Sequence, residues 1–502
     1  MLGSTLPLFG LLVTWATPVW LLSTGVALGV VVLAVAYGIL YLVSRPAAQW
    51  TVTAVREGIL LPIFYLAVVL SVFAVVGAFL VPNLPYRDLL SAVTRISAVG
   101  QRDYRFEIPA STTDFELEGV ELPLDELESF TAEADRTVGL RTNILVNFGN
   151  EVTFRLTPGN TAEWIKPIVQ DKNRAPVQVP DPWTATNVAD TPAELIIHAD
   201  TDIAYPQVRV VPATALSLIG LVAVYMALRL AAPKVSAIAL TTAKESMSQP
   251  LYYVALAIGV VALLAFIYVP YHTFGEDVKM LKDSGLTLIM VLSMIVAVWS
   301  ASVSVSEEVE GRTALTVLSK PVKRRQFVLG KFLGVLGPGV VLCVILGVVF
   351  LATVSLKVVY DSREVSKTEP LWQMCYVEMI RTVPGLVLAF FETVVLAAIS
   401  VAISTRLPMM ANLIVCASIY VLGHLVPMLV NSSVGKFEIV RFVGQFIATI
   451  LPVLDHFNIQ AAVAAGAAVP MIYLGMALAY CVLYSTIAML LGLAMFEDRD
   501  LA

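Results

Sequence analysis

The chain has 502 residues, 58% of them hydrophobic and only 14% charged, against roughly 25% charged in an ordinary soluble domain. That is too little polar surface to coat a globule of this size, so a soluble protein is excluded and a polytopic membrane protein is expected. The net charge of −6 excludes a basic nucleic-acid footprint and hides a split: residues 83–211 hold 11 Lys/Arg against 20 Asp/Glu.

Residues 1–18 are apolar but short for a span, and Thr17-Pro18 interrupts them. They read as a partly inserted lead-in helix. The first basic residue is Arg45, whereas a secretory signal opens with a positive segment, so the first apolar stretch is expected to be retained. Stretches of membrane-spanning length follow near 19–43, 58–81, 212–232, 251–271, 285–306, 328–355, 379–404, 409–430 and 471–495. The fold expected is mainly α, with about nine transmembrane helices, or ten if the lead-in counts. The divisions are 1–82 with two spans, 83–211 as one polar domain, 212–250 with a span and an interface helix, and 251–502 as a six-helix unit.

Within 83–211 helical periodicity is weak and alternation common. Ile144, Val146 and Phe148 share one strand face, and Val152, Phe154 and Leu156 another. Burying both sets on one side pairs 148 with 152 and leaves 149–151 as the loop. Pro158-Gly159 marks a turn, and 194–211 supplies further strand-like sequence. About 130 residues of this kind suffice for a β-sandwich-like domain. The four cysteines, Cys343, Cys375, Cys416 and Cys481, all lie outside it, so it holds no internal disulfide.

Orientation follows from where Lys and Arg collect near the span ends. With the amino terminus outside, segments 44–57, 229–250, 307–331, 405–408 and 496–502 face the cytoplasm and carry 13 of them; the short external segments carry seven. The densest cluster, Arg312, Lys320, Lys323, Arg324, Arg325 and Lys331, sets 307–331 on the cytoplasmic side. Residues 83–211 then lie extracytoplasmically, and a bacterial inner membrane is the expected location.

The segment 306–331 reads SEEVEGRTALTVLSKPVKRRQFVLGK. Three carboxylates follow one span, then a short apolar stripe, then a Lys-Pro break and a basic cluster before the next span. This pattern describes a short amphipathic helix across the cytoplasmic face. By composition alone it is also an ordinary topology-setting loop, because positive residues fix orientation and acidic ones solvate a helix end.

The run SEEVEGRTALTVLSKPVKRRQFVLGKFLG resembles the loop between the second and third helices of ABC-2 type transporter permeases, especially the branch grouped with copper-enzyme-maturation permeases. The resemblance extends over about 234–502. Ala243–Ser246 with Pro250 resembles the family's interface helix, and 273–285 its first external loop; 431–470 stands in the place of its re-entrant external hairpin. It implies that 307–327 is a coupling element docking into a separate nucleotide-binding ATPase subunit, beside a second permease copy or related chain in the membrane lipid. Carried over residue by residue, Glu307, Glu308, Glu310, Gly311 and Arg312 would line the ATPase contact, and Lys320, Pro321, Arg324 and Arg325 would fix the turn into the third span. Residues 1–233 fall outside the resemblance, and their domain is open to an extracytoplasmic protein partner.

ATP hydrolysis has no site in the sequence. A phosphate-binding loop needs G-x-x-x-x-G-K-[ST], and the Gly-Lys pairs, Gly330-Lys331 and Gly435-Lys436, follow Arg325 and Val430 and precede Phe332 and Phe437. The chain is therefore expected to be no enzyme and to hold no cofactor, ATP and magnesium belonging to the partner.

Weaker signals keep two readings each. Glu392 and His424 lie mid-span, where a charge is costly; they form a polar element in a substrate path or between subunits, or else a protonated acid and a neutral imidazole bonded to neighbouring helices. Gly330 and Gly334 make a small-residue face, and Gly337-Pro338-Gly339 should kink or divide its helix. Asp455 and His456 face an external mouth or cap a turn. His198, Asp200 and Asp202 alternate as a metal site requires, or line a solvated strand. The acidic run 114–128 lacks calcium-loop spacing. Two other function classes are an ATPase-independent secondary transporter or channel, and a membrane-anchored scaffold presenting the β-domain.

Overall fold

The computed structural model describes residues 6–81, 86–120, 122–146, 150–166, 177–179, 182–269, 276–306, 322–364, 370–431 and 438–497. These fall into two compact units, 84–209 and the remainder.

The larger unit is helical: α1 Leu6–Val43, α2 Arg45–Arg56, α3 Leu61–Leu80, α5 Val210–Ala231, α6 Pro233–Ser248, α7 Pro250–Phe266, α8 Asp277–Ala301, α9 Arg324–Glu364, α10 Trp372–Ser404, α11 Met409–Asn431, α12 Glu438–Ile450, α13 Gln460–Ala464 and α14 Met471–Glu497. Among the described residues, eight helices are long and apolar enough to cross a bilayer, and α6 with α7 make a ninth if that pair, bent by 65°, counts as one span. The chain is thus a polytopic helical membrane protein with an inserted β-domain.

The helices bear on three sequence expectations. Thr17-Pro18 does not interrupt α1, which runs unbroken through Pro18. Proline is tolerated within a membrane helix where packing against neighbours holds it, and one turn before Pro18 the Ser355 hydroxyl of α9 donates to the Trp15 carbonyl at 2.7 Å, tying α1 to α9. Of the two outcomes expected for Gly337-Pro338-Gly339, division does not occur: α9 stays a single helix of 41 residues. At about 1.5 Å per residue it is roughly twice as long as a bilayer core is thick. Finally, the part of 273–285 that is described is helix from Asp277, not loop. Leu281, Gly285, Leu286, Ile289 and Met290 continue one buried stripe, so the charged start of α8 belongs to the packed face.

That charged start has partners. Lys282 is fully buried and pairs with Glu378 of α10; Lys357 of α9, equally buried, lies 3.4 Å from Asp277 and donates to the Ile267 carbonyl at 3.2 Å. Buried charges persist only when paired and hydrogen-bonded, and these pairs brace α8, α9 and α10 at one end of the bundle. Asp277, Asp361 and Glu364 bring three carboxylates within 4.8 Å of one another there, with the Lys357 ammonium 3.4 Å from the first of them.

At the other end of α9, α6 lies in close contact. A Cβ at Gly330 would stand 2.7 Å from that of Ile238, and one at Gly334 would stand 2.6 Å from that of Thr242. Only glycine permits this approach, so the small-residue face is packing. Arg229 at the end of α5 donates to the Ala54 carbonyl of α2 at 2.9 Å.

The smaller unit opens with α4 Tyr86–Arg95, continues as β1 Gln101–Ile108, β2 Thr112–Glu116, β3 Leu127–Ala134, β4 Val138–Val146, β5 Asn150–Leu156, β6 Ala162–Ile165, β7 Val177–Gln178, β8 Thr184–Asn187 and β9 Ala193–Thr201, and closes on a 3-10 turn, Pro206–Arg209. One sheet has the order β1-β9-β3-β6; the other runs β2-β8-β4-β5, with β7 also on β4. Their inner faces share one core, the sandwich arrangement. Phe130, fully buried, stacks on Trp164 at 5.7 Å and meets Trp183 and Phe154 edge-on at 5.0 and 5.6 Å.

The β4–β5 pairing differs from expectation by an even step: Val146 faces Asn150 and Leu140 faces Phe154. Moving by two residues on each strand preserves parity, so the same faces turn inward, and an irregularity between Arg141 and Leu145 absorbs the rest. Gly159, at φ +80°, takes the third position of a turn closed by Asn160 N–H to the Thr157 carbonyl at 2.9 Å. Residues 202–211 are not strand: the chain turns at Pro206–Arg209 and α5 begins at Val210.

Candidate functional site

The loop that the sequence singles out, with Glu307, Glu308, Glu310, Gly311, Arg312, Lys320 and Pro321, lies outside the described residues. Its two roots are described, and each is fastened to a different set of helices.

The entering root is the end of α8. Its last residues before the loop, Ser302–Ser306, form a π-helical turn, a local insertion often found at functional sites. The Ser302 hydroxyl donates to the Val298 carbonyl at 2.8 Å, and serine bonding of this kind competes with the backbone ladder. Asn412 of α11, fully buried, places its amide nitrogen 2.6 Å from the Ser302 hydroxyl, 2.8 Å from Ser400 and 2.8 Å from Ser404, the last two on α10. Two N–H groups are shared among three oxygens. The Cys416 thiol in turn reaches the Asn412 carbonyl oxygen at 3.4 Å. One amide therefore ties α8, α10 and α11 together where the loop begins, the polar cross-link by which apolar helices associate.

The leaving root is the start of α9. Arg324, expected to fix a turn, is the first residue of the helix, so residues 324–327 of the expected coupling element belong to α9. Its guanidinium donates to the Glu497 carbonyl at 2.7 Å and the Phe496 carbonyl at 3.4 Å, the end of α14. A cation there answers the unpaired carbonyls and the negative end of the helix dipole. The same guanidinium sits 5.8 Å over the Phe496 ring, which stacks on Phe327 at 5.5 Å with both rings buried. Arg325 points elsewhere, into a groove between α9, α10 and α14.

Glu392 and His424 are brought together. His424 Nε2 lies 3.5 Å from Glu392 Oε1, and Nδ1 lies 3.1 Å from the Tyr420 carbonyl. Glu392 is 1% exposed, and neither of its oxygens has a hydrogen-bond partner. Asp455 and His456 are exposed on a 3-10 turn whose Leu454 and Phe457 are buried instead.

In the smaller unit, His198 pairs with Asp103 at 2.7 Å and faces Glu133 at 3.9 Å, while Asp202 pairs with Arg209 at 2.5 Å. The alternating trio does not converge on one ion. From the acidic run, Glu126 pairs with Arg95 at 2.6 Å.

Sequence reasoning missed Asn412 and the serines. The available signals were an amide inside an apolar helix, Ser400 and Ser404 four apart, and the alternation Ser300, Ser302, Ser304, Ser306 just before the loop.

Comparison with protein-family models matches residues 189–501 to the ABC-2 family transporter protein. The match begins ahead of the resemblance seen from residue 234, taking in β9 and α5 as well. A search of curated proteins finds no match for the chain.

Proposed function

The chain belongs to the ABC-2 family of transporter proteins, and from that premise we propose that ATP hydrolysis on a separate nucleotide-binding subunit drives it to export a substrate or to work on the envelope. A member of this family is a membrane transport component that works with an ATP-binding subunit. In the proposed cycle that subunit docks on 307–321, with Glu307, Glu308, Glu310, Gly311 and Arg312 at the contact and Lys320 and Pro321 setting the turn. The basic cluster argues that this loop is cytoplasmic, which puts residues 84–209 on the opposite side. Two permease chains with two ATPase subunits form the working assembly.

The observation that supports this reading is the double anchorage. Asn412 fastens the entering root to α10 and α11, and Arg324 fastens the leaving root to α14. Because α6 is in contact with α9 through Gly330 and Gly334, a push on the loop is shared by several spans at once. Packed helices shift between discrete arrangements rather than flexing continuously, so such a linkage transmits displacement. Glu392 and His424 supply a polar element that the tilting spans can expose to a pathway.

The test is co-expression with a Walker-motif ATPase encoded beside this chain. A complex that co-purifies, with ATP turnover raised above that of the ATPase alone, is expected. Absence of both complex and stimulation would sink the proposal.

A further inference from the structure

We propose that the groove between α9, α10 and α14 is a binding site for one anionic phospholipid, its phosphate on Arg325 and one acyl chain lying along α14. The groove has a volume of about 380 Å³ and is walled by Val328 and Phe332 of α9, Val394 of α10, and Cys481, Met489 and Leu493 of α14. Besides Arg325 at its end, Ser485 and Thr486 of α14 also line it, and the exposed wall is mostly apolar.

Its dimensions fit a lipid tail. From Leu493 to Cys481 the trough follows α14 for three turns and more, about 18 Å at 1.5 Å per residue, close to the ~15 Å thickness of one leaflet's hydrocarbon. Its outer edge, Leu329, Val482 and Leu490, is 43%, 56% and 62% exposed, so it opens sideways toward lipid rather than into the bundle.

Its charge selects the headgroup. Arg325 is exposed and makes no ion pair with a described carboxylate, whereas its neighbour Arg324 is engaged with the end of α14. The Arg324–Phe496 contact holds the two helices together at that end, and the Arg325 guanidinium stands at the same end of the trough. A guanidinium grips a phosphate with paired N–H donors, and a net negative lipid gains further from the cation, by about fivefold in affinity. Such a lipid would sit directly beside the leaving root of the loop. The binding claim stands apart from the transport reading, because it concerns the chain alone.

Native mass spectrometry of the purified full chain, titrated with dioleoyl phosphatidylglycerol or dioleoyl phosphatidylcholine, tests it. The first phosphatidylglycerol should bind about fivefold more tightly than phosphatidylcholine. Arg325→Gln should erase that preference, Leu490→Trp should weaken both lipids by filling the trough, and Arg56→Gln, an exposed cation at the end of α2, should change neither. No preference in the parent chain, an unchanged preference in Arg325→Gln, undiminished binding in Leu490→Trp, or an equal loss in Arg56→Gln would overturn the site.

Discussion

Replacing Arg324 with alanine is expected to leave the complex with the ATP-binding subunit intact and to cut the stimulation of its ATP turnover at least tenfold. The guanidinium lies at the leaving root and holds the last two carbonyls of α14 at 2.7 and 3.4 Å. Hydrogen bonds to a charged group contribute about 1.5–3 kcal/mol. A linkage of that size between loop and spans corresponds to roughly ten- to hundredfold in coupling. Arg324→Lys keeps the charge but not the fork, so partial recovery is expected. Stimulation equal to the parent's in Arg324→Ala would show that α14 is not part of the linkage.

The second large effect is an asymmetry at the far end of the bundle. Glu378→Leu should severely reduce the yield of folded protein, Lys282→Met should be tolerated, and the double replacement should recover most of the loss. Lys282 is fully buried while the Glu378 side chain is 32% exposed. Removing the acid strands an ammonium with no access to water, a cost of about 3–5 kcal/mol, a large share of a typical folding stability. Removing the lysine leaves a carboxylate that water can reach. The readout is folded yield by size-exclusion chromatography in detergent; equal losses in the two single variants would show that the pair is not buried as described.

These residues also mark what was legible in the sequence. The spans were, because the bilayer sets a length and forbids unpaired polar backbone, so an apolar run of that length has few alternatives. The polar extensions of α8, α9 and α10 were not: Asp277, Lys282 and Lys357 read as loop charges because their partners lie 80 and 96 residues away in the chain. In the β-domain, alternation gave the faces of β4 and β5 but not the step between them, since parity is indifferent to a shift of two. Thr17-Pro18 misled because α1 is held beside it by a contact to Ser355, on a helix 340 residues on.

The segment 307–321 drew notice through its charges and its resemblance to a family motif and lies outside the described residues; the anchoring of its roots was not legible. Arg324 looked like one more residue of a basic cluster; its role depends on where α14 ends. Asn412 looked like one polar residue in an apolar helix; its partners are spread over α8 and α10. Glu392 and His424 stood out by cost alone, and the fold sets them 3.5 Å apart.

The most direct measurement concerns the loop itself. With a photo-crosslinking amino acid at Arg312, and separately at His198 in the β-domain, the complex would be irradiated with and without ATP. The account predicts an adduct between position 312 and the ATP-binding subunit whose yield changes with nucleotide, and none from position 198. No adduct from 312, or one from 198 instead, would contradict it.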